Sequence, residues 1–157
     1  ERAAFVVLAS FFAYYLVYIF LPVTGPTFYY EAVGIDNIVN GVFPDVGYHF
    51  NYIQDCLATP GYTDGVFYQM VESAKAAGER PTAAFPSSHV GISTVLMLLA
   101  WRTGNRRFFY ILLPFYVLLC LSTVYIQAHY AIDVLAGWVT GVALYFALMW
   151  VGKKVCR

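Results

Sequence analysis

Apolar positions along the chain gather into long runs instead of alternating, and three runs approach the ~20 residues a helix needs to cross a bilayer core. They extend from Ala3 to Val23, from Phe108 to about Ala128, and from about Ala131 to Val151. A fourth, Ala83 to Trp101, is continuously apolar only from Val90, because Pro86, Ser87, Ser88 and His89 interrupt its first part. This pattern predicts an all-α polytopic transmembrane bundle of four spans, one of them with a polar mouth. The first run is too long for the roughly 7–15 residue core of a signal peptide, and no small-residue cleavage site follows it. It reads as a retained span ended by Pro22, Gly25 and Pro26.

Thr24 to about Pro81 separates the first span from the polar mouth and is too long for a plain connector, so short surface helices are expected in it. The clearest is Asp64–Ala77, entered through Thr63 or Asp64 as a cap and left at Gly78. Its apolar stripe, Val66, Phe67, Met70, Val71 and Ala74, can rest on lipid headgroups or pack on the spans. No repeat interrupts the chain, and residues 1–157 read as a single membrane domain.

Composition narrows the classes. Of the 157 residues 61% are hydrophobic and 11% charged, against roughly a quarter charged in soluble domains. Disorder is excluded by the same hydrophobicity. Nine Lys and Arg balance nine Asp and Glu, and without a long basic run a nucleic-acid partner is not expected. Cys56, Cys120 and Cys156 lie far apart with no ligand spacing, so neither a disulfide framework nor a zinc site can be read from them.

Basic residues beside spans stay on the cytoplasmic side. With the N-terminus there, that side holds Arg2, Arg102, Arg106, Arg107, Lys153, Lys154 and Arg157, with only Glu1 among the acids. The opposite face then carries the 24–81 segment, the Pro86–His89 mouth and the His129–Asp133 junction. Lys75 and Arg80 are the only Lys or Arg on that acid-rich face.

Three clusters there can carry chemistry. His129 and Asp133 are four apart, which on a helix sets the carboxylate beside the imidazole; the same spacing suits a structural pair capping the last span. His89 follows Ser87 and Ser88 at a helix start, where backbone N–H groups and the helix dipole favour an anion such as phosphate. Those serines also suit plain capping. Lys75 and Arg80 complete an anion clamp, or else pair with Glu72 and Glu79 at a solvated helix end. Tyr125, Gln127 and Tyr130 flank the third cluster, as substrate contacts or as interfacial anchors.

Those residues resemble the type 2 phosphatidic acid phosphatase (PAP2) superfamily of lipid phosphatases and phosphotransferases, related in its site to vanadium haloperoxidases. That family carries Lys…Arg-Pro, Pro-Ser-x-His and Ser-Arg-x5-His-x3-Asp motifs. Here the second is Pro86-Ser87-Ser88-His89, and the third runs from Ser122 through His129 to Asp133 with its spacing kept. Two departures stand out: Thr123 occupies the place of the third-motif arginine, and four residues separate Lys75 from Arg80 where six are usual. The Pro22–Pro26 turn followed by Tyr29-Tyr30, and Ala83-Ala84-Phe85 before Pro86, look like the branch that includes inositol-phosphoceramide synthases. Members usually have six spans, so four, together with a start at Glu1-Arg2, lead us to expect a fragment or a minimal version.

The resemblance implies a phosphohistidine mechanism: His129 attacks phosphorus, Asp133 orients and charge-stabilises its ring, and His89 protonates the departing alkoxide. Arg80, Lys75, Ser87, Ser88 and Ser122 would hold the phosphate oxygens. It implies no metal or cofactor, a lipid phosphate as substrate, membrane lipids as surroundings, and an extracytoplasmic site in what we expect to be a bacterial inner membrane. Hydrolysis, headgroup transfer by an inositol-phosphoceramide-synthase-like enzyme, and non-catalytic binding of a lipid phosphate all remain open here, as does the oligomeric state.

Overall fold

The computed structural model describes residues 1–155; Cys156 and Arg157, counted above among the cysteines and cytoplasmic bases, lie outside the described residues. Among the described residues three helices are long and apolar enough to cross a membrane: α1 (Arg2–Phe20), α6 (Arg106–Tyr125) and α7 (Ala131–Val155). Their outer faces carry Phe12, Ile19, Phe20, Leu118, Leu121, Val139, Phe146 and Trp150, all well exposed. An apolar surface of that extent is stable only against lipid or a partner, and helices satisfy their own backbone groups there.

The expected fourth span is a shorter helix. α5 (Ser88–Arg102) has 15 residues, about 22 Å at 1.5 Å per residue, against a hydrocarbon core of about 30 Å. Pro86 and the cap at Ser87 delay its start. What α5 lacks in length it has in burial: Val90, Gly91, Ile92, Thr94, Val95, Met97 and Ala100 are buried, because α1, α6 and α7 all pack on it.

Glycines set the closest approach. A Cβ on Gly141 would stand 2.5 Å from the Gly91 carbonyl oxygen, and one on Gly137 2.5 Å from that of Ser87. The Gly137-x3-Gly141 face thus lets α7 seat directly on the backbone of α5, as small residues do between membrane helices. Deeper in the bundle Val6, Val95, Tyr145 and Met149 form the core.

Within residues 24–81 the chain forms α2 (Pro26–Val33), α3 (Ile35–Val39), a 3-10 turn at His49–Asn51 and α4 (Val66–Gly78). α2 is not a surface helix, since Pro26, Thr27, Phe28 and Val33 are buried. α4 starts two residues later than expected and is capped by Gly65 instead of Thr63 or Asp64. None of its residues is buried, and Val66, Phe67 and Met70 point away from the protein, so of the two resting places for its stripe the spans are not the one used.

Candidate active site

Chain segments distant in sequence meet at the end of the bundle where α5 begins. Val23 and Ala83 form an isolated parallel bridge, continued by Ala84 N–H donating to the Val23 carbonyl (3.1 Å) and Gly25 N–H to that of Pro81 (3.0 Å). Thr27 N–H donates to the Gln127 carbonyl (3.0 Å) and Ser87 N–H to that of Asp133 (3.0 Å). Gln127 takes the left-handed conformation, φ 61°, that turns the chain from α6 toward α7.

His129 is held in this junction, outside any helix. Its backbone N–H donates to the Thr123 carbonyl (3.1 Å) and its ring is 3% exposed. Nδ1 lies 2.7 Å from the Ala84 carbonyl oxygen, which can only accept, so we assign the ring proton to Nδ1. Nε2 then carries a lone pair and faces His89 Nδ1 at 3.1 Å, with His89 as donor. Burial, and then the neighbouring His89 ring, push the His129 pKa down to about 4, the Ala84 bond opposing. The ring is therefore neutral and held at both nitrogens, with its lone pair toward His89.

Asp133 is arranged differently from the expected helical pair. α7 begins only at Ala131, and the Asp133 Oδ2 that lies 3.9 Å from His129 Nδ1 accepts the Tyr130 N–H at 2.8 Å. The carboxylate ties the start of α7 and sits near the imidazole, while Ala84 makes the orienting bond.

A cavity of about 390 Å³ opens over the two histidines. Arg80, Ser88, His89, Ser93 and His129 line it, with Tyr14, Tyr15 and Tyr18 of α1 and Glu79. Phe11, Ile92 and Leu119 give the rest of its walls an apolar surface. His89 and Arg80 are exposed to this space.

Three expected phosphate ligands stand elsewhere. Lys75 is 7% exposed and Nζ donates to the Leu57 carbonyl (2.9 Å) and the Thr59 hydroxyl (3.1 Å), with Glu72 at 3.4 Å. Its ammonium braces α4 against residues 57–59, so of the two expected clamp cations Arg80 lines the cavity and Lys75 does not. Ser87 is fully buried and caps α5 by accepting the Val90 N–H. Ser122 is exposed on α6 and donates to the Leu119 carbonyl. Thr123 is buried, with its hydroxyl on the Cys120 carbonyl, and adds no charge to the cavity.

Sequence reasoning missed Tyr18. Its hydroxyl donates to the Pro86 carbonyl (2.9 Å) and accepts the Ser88 N–H (3.0 Å), pinning the turn that presents His89. Tyr14, one turn earlier, reaches Thr140 of α7 at 2.8 Å. Two polar tips four apart in an otherwise apolar span were the available signal. Among the described residues no three His, Cys, Asp or Glu side chains converge to offer a metal its ligands.

A family model for the PAP2 superfamily matches residues 1–147. The chain belongs to that superfamily. The match reaches no particular branch, and no curated protein or solved structure matches the chain. As a PAP2 protein it is a membrane phosphatase-type protein. The PAP2 motif histidines His89 and His129 are the pair in hydrogen-bond contact, and the motif arginine Arg80 shares their cavity.

Proposed function

We propose that the chain is an integral membrane lipid-phosphate phosphatase that works through a phosphohistidine at His129, with its site on the extracytoplasmic face. The observation that carries the reading is the bond from His89 to His129 Nε2 at 3.1 Å beneath a cavity bordered by Arg80. The bases at the far ends of α1, α5 and α7 support the extracytoplasmic placement.

Uncatalysed phosphate ester hydrolysis is among the slowest reactions, so a site must position the group and neutralise charge. Arg80 and the Ser88 hydroxyl bind the non-bridging oxygens. On substrate entry His89 leaves its bond to His129, which its exposure permits, and turns toward the ester oxygen. The entering phosphate dianion favours the protonated ring of His89. The His129 Nε2–P bond then forms as the P–O bond to the lipid breaks, and the lipid oxygen takes a proton from the His89 imidazolium, which is left neutral. Neutral His89 then removes a proton from water, which attacks the phosphohistidine and releases phosphate. Asp133, 3.9 Å away, stabilises the positive charge that develops on the His129 ring.

Transfer to an acceptor alcohol uses the same first half and differs only in what attacks second. An uncharged Thr123 in place of the motif arginine favours weighing it. The test incubates purified protein in lipid with a labelled lipid phosphate, with and without polyol acceptors, using His129→Ala as the blank. Free phosphate lost in the blank supports the phosphatase; product that needs the acceptor supports the transferase. Turnover that survives His129→Ala rejects the phosphohistidine, and no turnover across a broad panel leaves a binding module.

A further inference from the structure

A second cavity, of about 930 Å³, lies at the opposite end of α5, between the first two turns of α1 and those of α6. Both helices pack on α5, whose Leu99 and Ala100 line the space between them together with Met149 of α7. The lining changes character with depth. Arg2, Arg102 and Thr103 border one end, and every other lining residue is apolar. Leu8 and Leu96 border the far end, each six residues further along its helix and so about 9 Å deeper.

This end of the bundle has the chemistry of a headgroup layer. The Arg106 guanidinium lies 3.5 Å from the centre of the Trp101 ring, and the Lys154 ammonium 3.7 Å from that of Trp150; cations and indoles gather in this way where a bilayer meets water. From there α6, with 20 residues, runs about 30 Å, the thickness of a hydrocarbon core. The cavity thus begins at the level of headgroups and extends into that of acyl chains.

Charge selects the head of an occupant. Arg102 closes α5 at an exposed position, with no hydrogen bond or ion pair to another described residue. Arg106 and Arg107 follow within the same connection, and Glu1 is the only acid among the described residues of this end. An anionic headgroup complements that excess. Depth selects the tail, because a further transmembrane helix would lie along the whole of α1, whereas this space spans two turns and suits a flexible chain.

We propose that the cavity binds an anionic phospholipid from the leaflet that meets the bases, with its phosphate beside Arg102 and an acyl chain between α1 and α6. Thirteen residues of α5 separate Arg102 from His89, about 20 Å, so this lipid is held apart from the catalytic pair.

The test places the full chain in phosphatidylcholine nanodiscs doped with phosphatidylglycerol that carries a diazirine in its acyl chain, and maps photo-adducts by peptide mass spectrometry. Adducts should form on residues 3–8 and 108–112, and unlabelled phosphatidylglycerol should displace them more readily than phosphatidylcholine does. Phe146, exposed on α7, reports ordinary surrounding lipid, and its adducts should show no such preference. Arg102→Gln should lower the cavity adducts about fivefold, the worth of one base beside an anionic headgroup, and leave those at Phe146 unchanged. Arg102→Lys, which keeps the charge, should keep them, a result that misfolding would not produce. Equal displacement by the two lipids, or cavity adducts indifferent to Arg102→Gln, overturns the proposal. So does labelling confined to α7; if Leu8→Cys then forms a disulfide-linked dimer, a second copy of the chain covers this face instead.

Discussion

His129 owes its character to a backbone carbonyl. Ala84 accepts from Nδ1 and so leaves the lone pair on Nε2, while burial, against the opposing pull of that bond, holds the pKa at about 4 and keeps Nε2 unprotonated at every pH above that value. The sign gives a prediction: the acid limb of kcat/KM, which reports the free enzyme, should fall near pH 4, below the ordinary histidine value of about 6.5. A limb at 6.5 would mean that the nucleophile is solvated in a way this geometry does not allow. The two cations of the first motif should separate as sharply. Lys75→Met, which strips the Leu57 carbonyl and Thr59 of a buried donor, should cost about 1–3 kcal/mol of stability and leave kcat near wild type. Arg80→Gln, at an exposed position, should leave Tm unchanged and raise KM. Denaturation and steady-state kinetics on the two variants read both quantities.

The helices hold the site through contacts too close for side chains. α7 rests on α5 where Gly141 meets Gly91, and Gly137 meets the carbonyl of Ser87. Gly141→Ala should therefore force backbone apart and cost about 1–3 kcal/mol, seen as a lower Tm in detergent. Gly137→Ala should lose activity beyond its loss of stability, because the carbonyl it displaces belongs to the cap that precedes His89. Equal residual activity in the two variants, compared at equal folded fraction, would show that the cap does not transmit the strain. α1 enters the same design through Tyr18. Tyr18→Phe leaves the Ser88 N–H and the Pro86 carbonyl without their partner and should lower both Tm and kcat.

Taken whole, the molecule divides its charge along the chain, with bases at the outer ends of α5, α6 and α7 and most acids in the 24–81 segment. If the bases are retained in the cytoplasm, a cysteine introduced as Asp64→Cys should react with a membrane-impermeant thiol reagent on intact cells. Lys153→Cys should react only after permeabilisation. The reverse pattern would place the cavity on the cytoplasmic side. Both positions are exposed, so a difference in labelling reports the side and not burial.

The three long spans, the superfamily and the partnership of His89 with His129 and Arg80 could be read from the chain, because unbroken apolar runs and motif spacings are local properties. Three-dimensional packing settled the rest. Lys75 and Arg80 sit five positions apart in one motif, yet one is buried in a brace and the other opens on the cavity, a difference made by where residues 57–59 fold back. Asp133 kept its spacing from His129 but lost its expected bond, because the helix starts after the histidine and the Ala84 carbonyl arrives first. Ser87 and Ser122 have the chemistry of phosphate ligands and face elsewhere. Tyr18, unremarked in the chain, and Glu79, read there only as a pairing partner, line the site because α1 and the end of α4 close over the start of α5. Residue type and spacing can name the reactive groups, but which atoms face one another depends on contacts between segments as much as 126 residues apart, and no local pattern records those.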